Sequence, residues 1–255
     1  MRSWAIFRRA IMLIVDDLGA ALRISALPYA VFTGVSVWLA GTLDLAAIAQ
    51  MEPDAMAAAL PAGLAWRILL AALVSLAAFL WIAVAWHRYV LLREGGDGWI
   101  PPLEGRLLLG YLGRLLLISL IVLAAVMIVT VAIAPFAPGV SVALSIIVGM
   151  VLFYRLGLIL PAGAIGRPIT VAEAWRASQG QSGTVVLVAL MTSALSFLFE
   201  LPALLDASGT AGTAVASPGP IGFVYDLVVT WILLMLGVTV LSTLYGHFVE
   251  GRAVD

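Results

Sequence analysis

Residues 107–134 read LLLGYLGRLLLISLIVLAAVMIVTVAIA, and past Arg114 the stretch carries no ionisable side chain. Crossing a hydrocarbon core of about 30 Å takes about 20 mostly apolar helical residues. This segment is long enough by itself. Working outward, five more stretches meet the same test: residues 24–43, 64–84, 140–160, 184–204 and 221–243. The breaks between them carry turn chemistry. Pro53 and Pro61 sit in the first, Gly95, Gly96, Pro101 and Pro102 in the second, and Pro135 and Pro138 in the third. Gly166 and Pro168 mark the fourth, and a Ser/Gly/Thr/Ala-rich run over residues 206–220 makes the fifth. The expected fold is all-α: a polytopic membrane protein of six transmembrane helices arranged as three hairpins. Residues 1–255 form one integral membrane domain, with the bundle over 24–252.

Composition agrees. Of 255 residues 64% are hydrophobic and 11% charged, with a mean hydropathy of +1.15. Soluble domains carry about 45–50% apolar and about 25% charged residues. A soluble globular domain, a disordered chain and an extended nucleic-acid-binding surface are excluded. The absence of Cys excludes disulfides, thiolate nucleophiles and Cys-based metal sites. At the N-terminus, the apolar run over residues 10–15 is closed by Asp16 and Asp17. That is shorter than the h-region of a secretory signal, about 7–15 residues, so the N-terminus is expected to be retained.

All thirteen basic residues are Arg. With the N-terminus inside, twelve of them fall on or near the cytoplasmic side and only Arg67 falls outside. Asp44, Glu52, Asp54, Glu200, Asp206 and Asp226 fall at the outer side. The positive-inside rule therefore predicts that both termini are cytoplasmic. Even-numbered spans end inside on Trp86-His87-Arg88-Tyr89, Tyr154-Arg155 and Tyr245-Gly246-His247-Phe248. This fits either a weak threefold hairpin repeat or the ordinary aromatic belt of an interface.

Residues 1–23 form the clearest amphipathic segment. Arg2, Arg9, Asp16 and Arg23 recur every seven residues, with Arg8 beside them. Trp4, Phe7, Ile11, Ile14, Leu18 and Leu22 line the opposite face at about 100° per residue. The pattern predicts an interfacial helix on the inner leaflet, its Arg side toward anionic headgroups. The alternative is a helix packed on the cytoplasmic loops. Short interfacial helices are expected in the other inner connectors. Thr170-Val-Ala-Glu173 is a capping box that starts one before Ala174-Trp175-Arg176, and Pro101-Pro102-Leu-Glu104 suits the first turn of the third span.

Few groups offer chemistry. His87 and His247 have no metal-binding spacing, and no phosphate loop or nucleophile elbow occurs. No catalytic residue, metal or cofactor is expected, and the chain is read as non-enzymatic. The central portions of the spans carry hydroxyls but no charges: Ser75, Ser119, Thr130, Ser145, Thr192, Ser193, Ser196, Thr230 and Thr239. Such residues suit helix packing and disfavour an ion path. At the outer side, Arg67 is expected to pair with Glu200 or Asp226 as a structural clamp, since a lone charge there is costly. At the inner side, Arg88, Arg155, His87, His247, Trp175 and Arg176 are candidates for a lipid-headgroup or partner site, because guanidinium binds phosphate in a bidentate fork. Ordinary snorkelling is the alternative.

The run Tyr154-Arg-Leu-Gly-Leu-Ile-Leu-Pro-Ala-Gly-Ala-Ile-Gly-Arg167, then Thr170-Val-Ala-Glu-Ala-Trp175-Arg, resembles a recurring segment of bacterial six-helix membrane proteins. These are the YciC-like proteins and the membrane domain attached to some glycerophosphodiester phosphodiesterases. Trp86-His87-Arg88-Tyr-Val-Leu-Leu resembles the matching end of helix two. The resemblance covers about 40 residues well and the six-helix layout loosely. It implies a bacterial inner-membrane protein of a family of unsettled function. The catalytic domain of the phosphodiesterases has no counterpart here. The function expected is an accessory, scaffold or lipid-interacting module, with anionic phospholipid, a membrane protein or a second copy as partner. A small permease for an apolar or lipid-like solute is the alternative.

Overall fold

The computed structural model describes residues 2–42, 63–94, 98–209 and 220–253, with no strand among them. The acidic positions Asp44, Glu52, Asp54 and the side chain of Asp206 lie outside what is described, as do residues 95–97. Helices run over α1 Arg2–Asp16, α2 Leu18–Gly41, α3 Leu64–Leu92, α4 Gly105–Ile133, α5 Pro138–Leu156, α6 Ile159–Ala164, α7 Val171–Ala177, α8 Ser182–Gly209 and α9 Pro220–Phe248. Six helical stretches are long and apolar enough to cross a membrane: α2, α3, α4, α5 continued through α6, α8 and α9. An apolar chain in lipid must satisfy its own backbone, and a helix does so within one segment.

α2 packs along α3, and α4 along α5. The expected third pair is different. α8 and α9 meet only briefly, whereas α1 packs on both of them. α9 is the most enclosed of the spans and α4 the least. Leu109, Leu120, Ile128 and Val131 of α4 all face outward.

The expected helix over residues 1–23 ends at Asp16, and α2 begins at Leu18 rather than at residue 24. Asp17 is the hinge: its carbonyl accepts from the N–H groups of Ala20 and Ala21 at 2.9 Å each. Arg23 and Leu22 therefore belong to the first span. The apolar side of α1 is also divided. Ser3, Ile6, Phe7, Ala10 and Ile14 are buried in the bundle. Trp4 and Val15 stay exposed, as does Leu18 at the start of α2, Ile11 is half-buried, and Arg8 and Arg9 are exposed. Small Ser3 and Ala10 let the backbone approach its neighbours, so one edge of the apolar side turns into protein and the other stays exposed.

The core lies toward the arginine-rich end. Residues 154–165 are buried without interruption. α5 breaks at Gly157, and the short helix α6 sits against α3, α4 and α9. Its end closes in a Schellman motif. The Arg167 N–H reaches the Ala162 carbonyl at 2.9 Å, that of Gly166 reaches Gly163 at 3.2 Å, and Gly166 adopts φ +74°. The capping box is present: Thr170 Oγ1 accepts from the Glu173 N–H at 3.2 Å, and Glu173 Oε2 accepts from the Thr170 N–H at 2.6 Å.

At Gly157 a Cβ would stand 2.5 Å from the Phe153 carbonyl oxygen and 2.9 Å from Leu241 Cδ2. Gly157→Ala is therefore expected to cost about 1–3 kcal/mol by overpacking and to lower the thermal midpoint of the purified protein. Gly149→Ala, whose Cβ would meet Val126 at an ordinary 3.4 Å, is expected to leave that midpoint nearly unchanged.

Candidate functional site

Of the inner-face candidates only Arg155 and Trp175 come together; His87, Arg88 and His247 each have other partners. His87 is fully buried between α3, α4 and α9. Ser242 Oγ gives its hydrogen to the Val238 carbonyl at 3.0 Å. It must then accept from His87, at 2.7 Å from Nδ1. That assigns the proton to Nδ1 and leaves Nε2 to accept from the Tyr111 hydroxyl at 3.2 Å. One residue earlier, the Trp86 indole N–H donates to Thr239 Oγ1 at 2.7 Å, and Thr239 donates to the Met235 carbonyl. His87 is a tie in the core and is closed to a headgroup.

Arg88 is half-buried. It donates to Glu94 Oε2 at 2.5 Å, lies 3.4 Å from Glu104 and reaches the Ala164 carbonyl at 3.3 Å. Two carboxylates thus neutralise it, and the third contact caps α6. Arg155 is 7% exposed. It donates from Nε to Ser178 Oγ at 3.0 Å and from Nη2 to the Ser178 carbonyl at 2.9 Å. Its guanidinium lies 4.0 Å from the centre of the Trp175 ring. Arg155 thus fastens the end of α7 to the end of α5. Arg176 is exposed on α7. His247 stands apart, its Nδ1 3.1 Å from the Arg252 carbonyl.

The expected outer clamp is not formed: neither Glu200 nor Asp226 lies within ion-pair distance of Arg67. The packing gives the reason. Glu200 is on α8, which does not run along α3, and Asp226 lines a cleft of about 260 Å³ between α2 and α9 with Tyr29, Thr33 and Phe223.

The hydroxyls expected to serve packing are mostly spent that way. Thr130 and Ser145 bond each other across α4 and α5 at 3.0 Å. Thr192, Ser196 and Thr239 bond carbonyls of their own helices.

Two concave features were not anticipated. One is a lateral groove of about 480 Å³ between α2, α3 and α4. Its lining includes Pro28, Val31, Leu73, Ala77, Leu80, Trp81, Leu103, Leu108 and Leu112, with no charged side chain. The indole N–H of Trp81 donates to the Pro101 carbonyl at 3.2 Å and ties the connector before α4 to the groove wall. The other is a cleft walled by Arg9, Arg93, His247 and Arg252. These arginines lie far apart in sequence, so only the wide spread of basic residues hinted at their meeting.

No family model, no curated protein and no solved structure matches the chain. The resemblance of residues 154–176 rests on those residues alone.

Two outcomes follow from this geometry. Ser242→Ala strips the acceptor from a buried imidazole N–H and is expected to cost about 1–3 kcal/mol, read as a lower unfolding midpoint in detergent. The Glu173 carboxyl is held below the ordinary carboxylate range, first by the Thr170 N–H and then by its hydroxyl. A depressed folded value means the cap is intact above the ordinary carboxylate pKa and is lost as pH falls through the folded one. Amide exchange over residues 171–177 is expected to accelerate below that point, and Thr170→Ala to accelerate it already at neutral pH.

Proposed function

We propose that the chain is a non-enzymatic protein of the bacterial inner membrane, an accessory module that holds membrane lipid by its acyl chain. The observation that carries this reading is the lateral groove between α2, α3 and α4. It is apolar along its length, about 480 Å³ in volume, and sited between helices that qualify as membrane spans. Burying apolar surface gains little against lipid tails, so a chain held here is selected by fit to the concavity rather than by the hydrophobic effect. Trp81 and Leu103 close the inner end of the groove. The adjacent Arg88 is neutralised by Glu94 and Glu104, so the groove selects for a chain and makes little demand for an anionic headgroup.

Both termini are assigned to the cytoplasm on the arginine distribution. α1 is read as a helix that packs on α8 and α9 while presenting Trp4 and Val15 to the inner leaflet. Five of the hydroxyls in the spans, those of Thr130, Ser145, Thr192, Ser196 and Thr239, are bonded within the bundle, which favours a holding role over a permeation path.

The test is native mass spectrometry of the protein released gently from its own membrane. Ala77 is exposed on the groove wall. Ala77→Trp is expected to abolish a retained lipid, whereas Leu120→Trp on the outward face of α4 retains it. Equal lipid retention by Ala77→Trp and the wild type would overturn the reading.

A further inference from the structure

We infer that the arginine-rich end carries an anion site that takes a phosphate group, distinct from the lateral groove. The cleft lies where α1, α3, α9 and the C-terminal residues meet, with a volume of about 120 Å³. A single buried water needs about 10–15 Å³ on the same measure, so there is room for a small anion with part of its hydration. Three arginines, Arg9, Arg93 and Arg252, and His247 are among the residues that line it.

Carboxylates hold two of these arginines without entering the cleft. Asp17 lies 2.8 Å from Arg93, and Glu250 lies 2.7 Å from Arg252. Neither acid is part of the lining. The lining therefore carries three positive charges against two negative ones that lie outside it, a surplus of one. Among the described residues no carboxylate lies within 4 Å of Arg9.

The backbone is built to aim these groups. Arg93 ends α3 at φ +57°, the one non-glycine residue with positive φ among those described. That conformation costs a residue with a Cβ roughly 1–2 kcal/mol, and strain of this kind gathers at functional sites. It sets the Arg93 guanidinium over Tyr89, 5.6 Å from the ring centre. Arg252 is brought in by the chain reversal after α9. Its backbone N–H donates to the Gly246 carbonyl at 2.8 Å, and its Nη2 donates to the Leu91 carbonyl at 2.7 Å. The Arg252 stem crosses Gly246, where a Cβ would come within 3.2 Å of it. Guanidinium forks match phosphate oxygens in pairs, so the chemistry fits a phosphate monoester, a phosphodiester or inorganic phosphate.

The source is a lipid headgroup or a soluble phosphate, and two arms separate them. The full-length protein is placed in nanodiscs of phosphatidylcholine and titrated with inorganic phosphate by calorimetry. In parallel, nanodiscs containing phosphatidylglycerol are used, and retained lipid is read by native mass spectrometry. Arg9→Gln is the variant, because Arg9 makes none of the bonds that fasten the helices. Arg8→Gln, one residue away and exposed, removes the same charge outside the cleft. Arg9→Gln is expected to weaken binding about tenfold, a charge-assisted hydrogen bond's worth, in whichever arm shows binding. Arg8→Gln is expected to leave it within about twofold. Phosphate binding supports a soluble anion, and retained phosphatidylglycerol supports a headgroup. No binding in either arm, or equal losses for Arg8→Gln and Arg9→Gln, overturns the site. The groove variant Ala77→Trp is expected to leave this binding unchanged, so failure here and failure of the acyl-chain reading are told apart.

Discussion

An aromatic N–H that donates across a helix contact to a hydroxyl, whose own hydrogen returns to its helix, is the interaction on which this bundle turns. It occurs three times among the described residues. Trp86 donates to Thr239, which donates to Met235; His87 donates to Ser242, which donates to Val238; Trp231 donates to Ser25, which donates to Ala21. In each case the hydroxyl bonds the carbonyl four residues back and offers a lone pair outward. Lipid supplies no water to satisfy a stray N–H, so each pair must meet in register or not at all. The ties join α9 to α3 twice and to α2 once, which is why α9 is the most enclosed span.

The same demand explains the fate of the arginines. At this end they meet carbonyls and acids left open by helix termini. Arg88 caps α6 and binds two glutamates, Arg155 holds the turn after α7, and Arg252 reaches the last turn of α3. Cations near helix C-termini are favoured by the exposed carbonyls there. A cluster that looks like one binding site in the sequence is therefore mostly a set of separate fastenings. The binding capacity proposed for the protein lies in two places that these fastenings leave open: an apolar groove where α3 and α4 diverge, and a cationic cleft where three chain segments meet.

The insertion of α1 ties the two together. It packs on both α8 and α9, and it supplies one wall of the cleft through Arg9 and Leu13. Arg9 lies well round the helix from Ile11 and Val15, at about 100° per residue. One helix thus presents an edge packed into the bundle, an exposed apolar edge, and the arginine edge of the proposed anion site.

The sequence by itself determined the spans, the sorting of arginine to one end, the capping box of α7 and the turn at Gly166. Each of these is local: a run of apolar residues longer than a bilayer core is thick, or a cap whose partners lie three residues apart. Only the tertiary structure decided which polar groups meet. His87 and Ser242 are 155 residues apart, and nothing in either neighbourhood specifies the other. It also decided that α1 is half protein-facing, because amphipathicity gives an apolar side without saying whether lipid or another helix covers it. The Arg67 clamp failed for the same reason: charge and depth can be read along a chain, but which helices become neighbours is settled by packing.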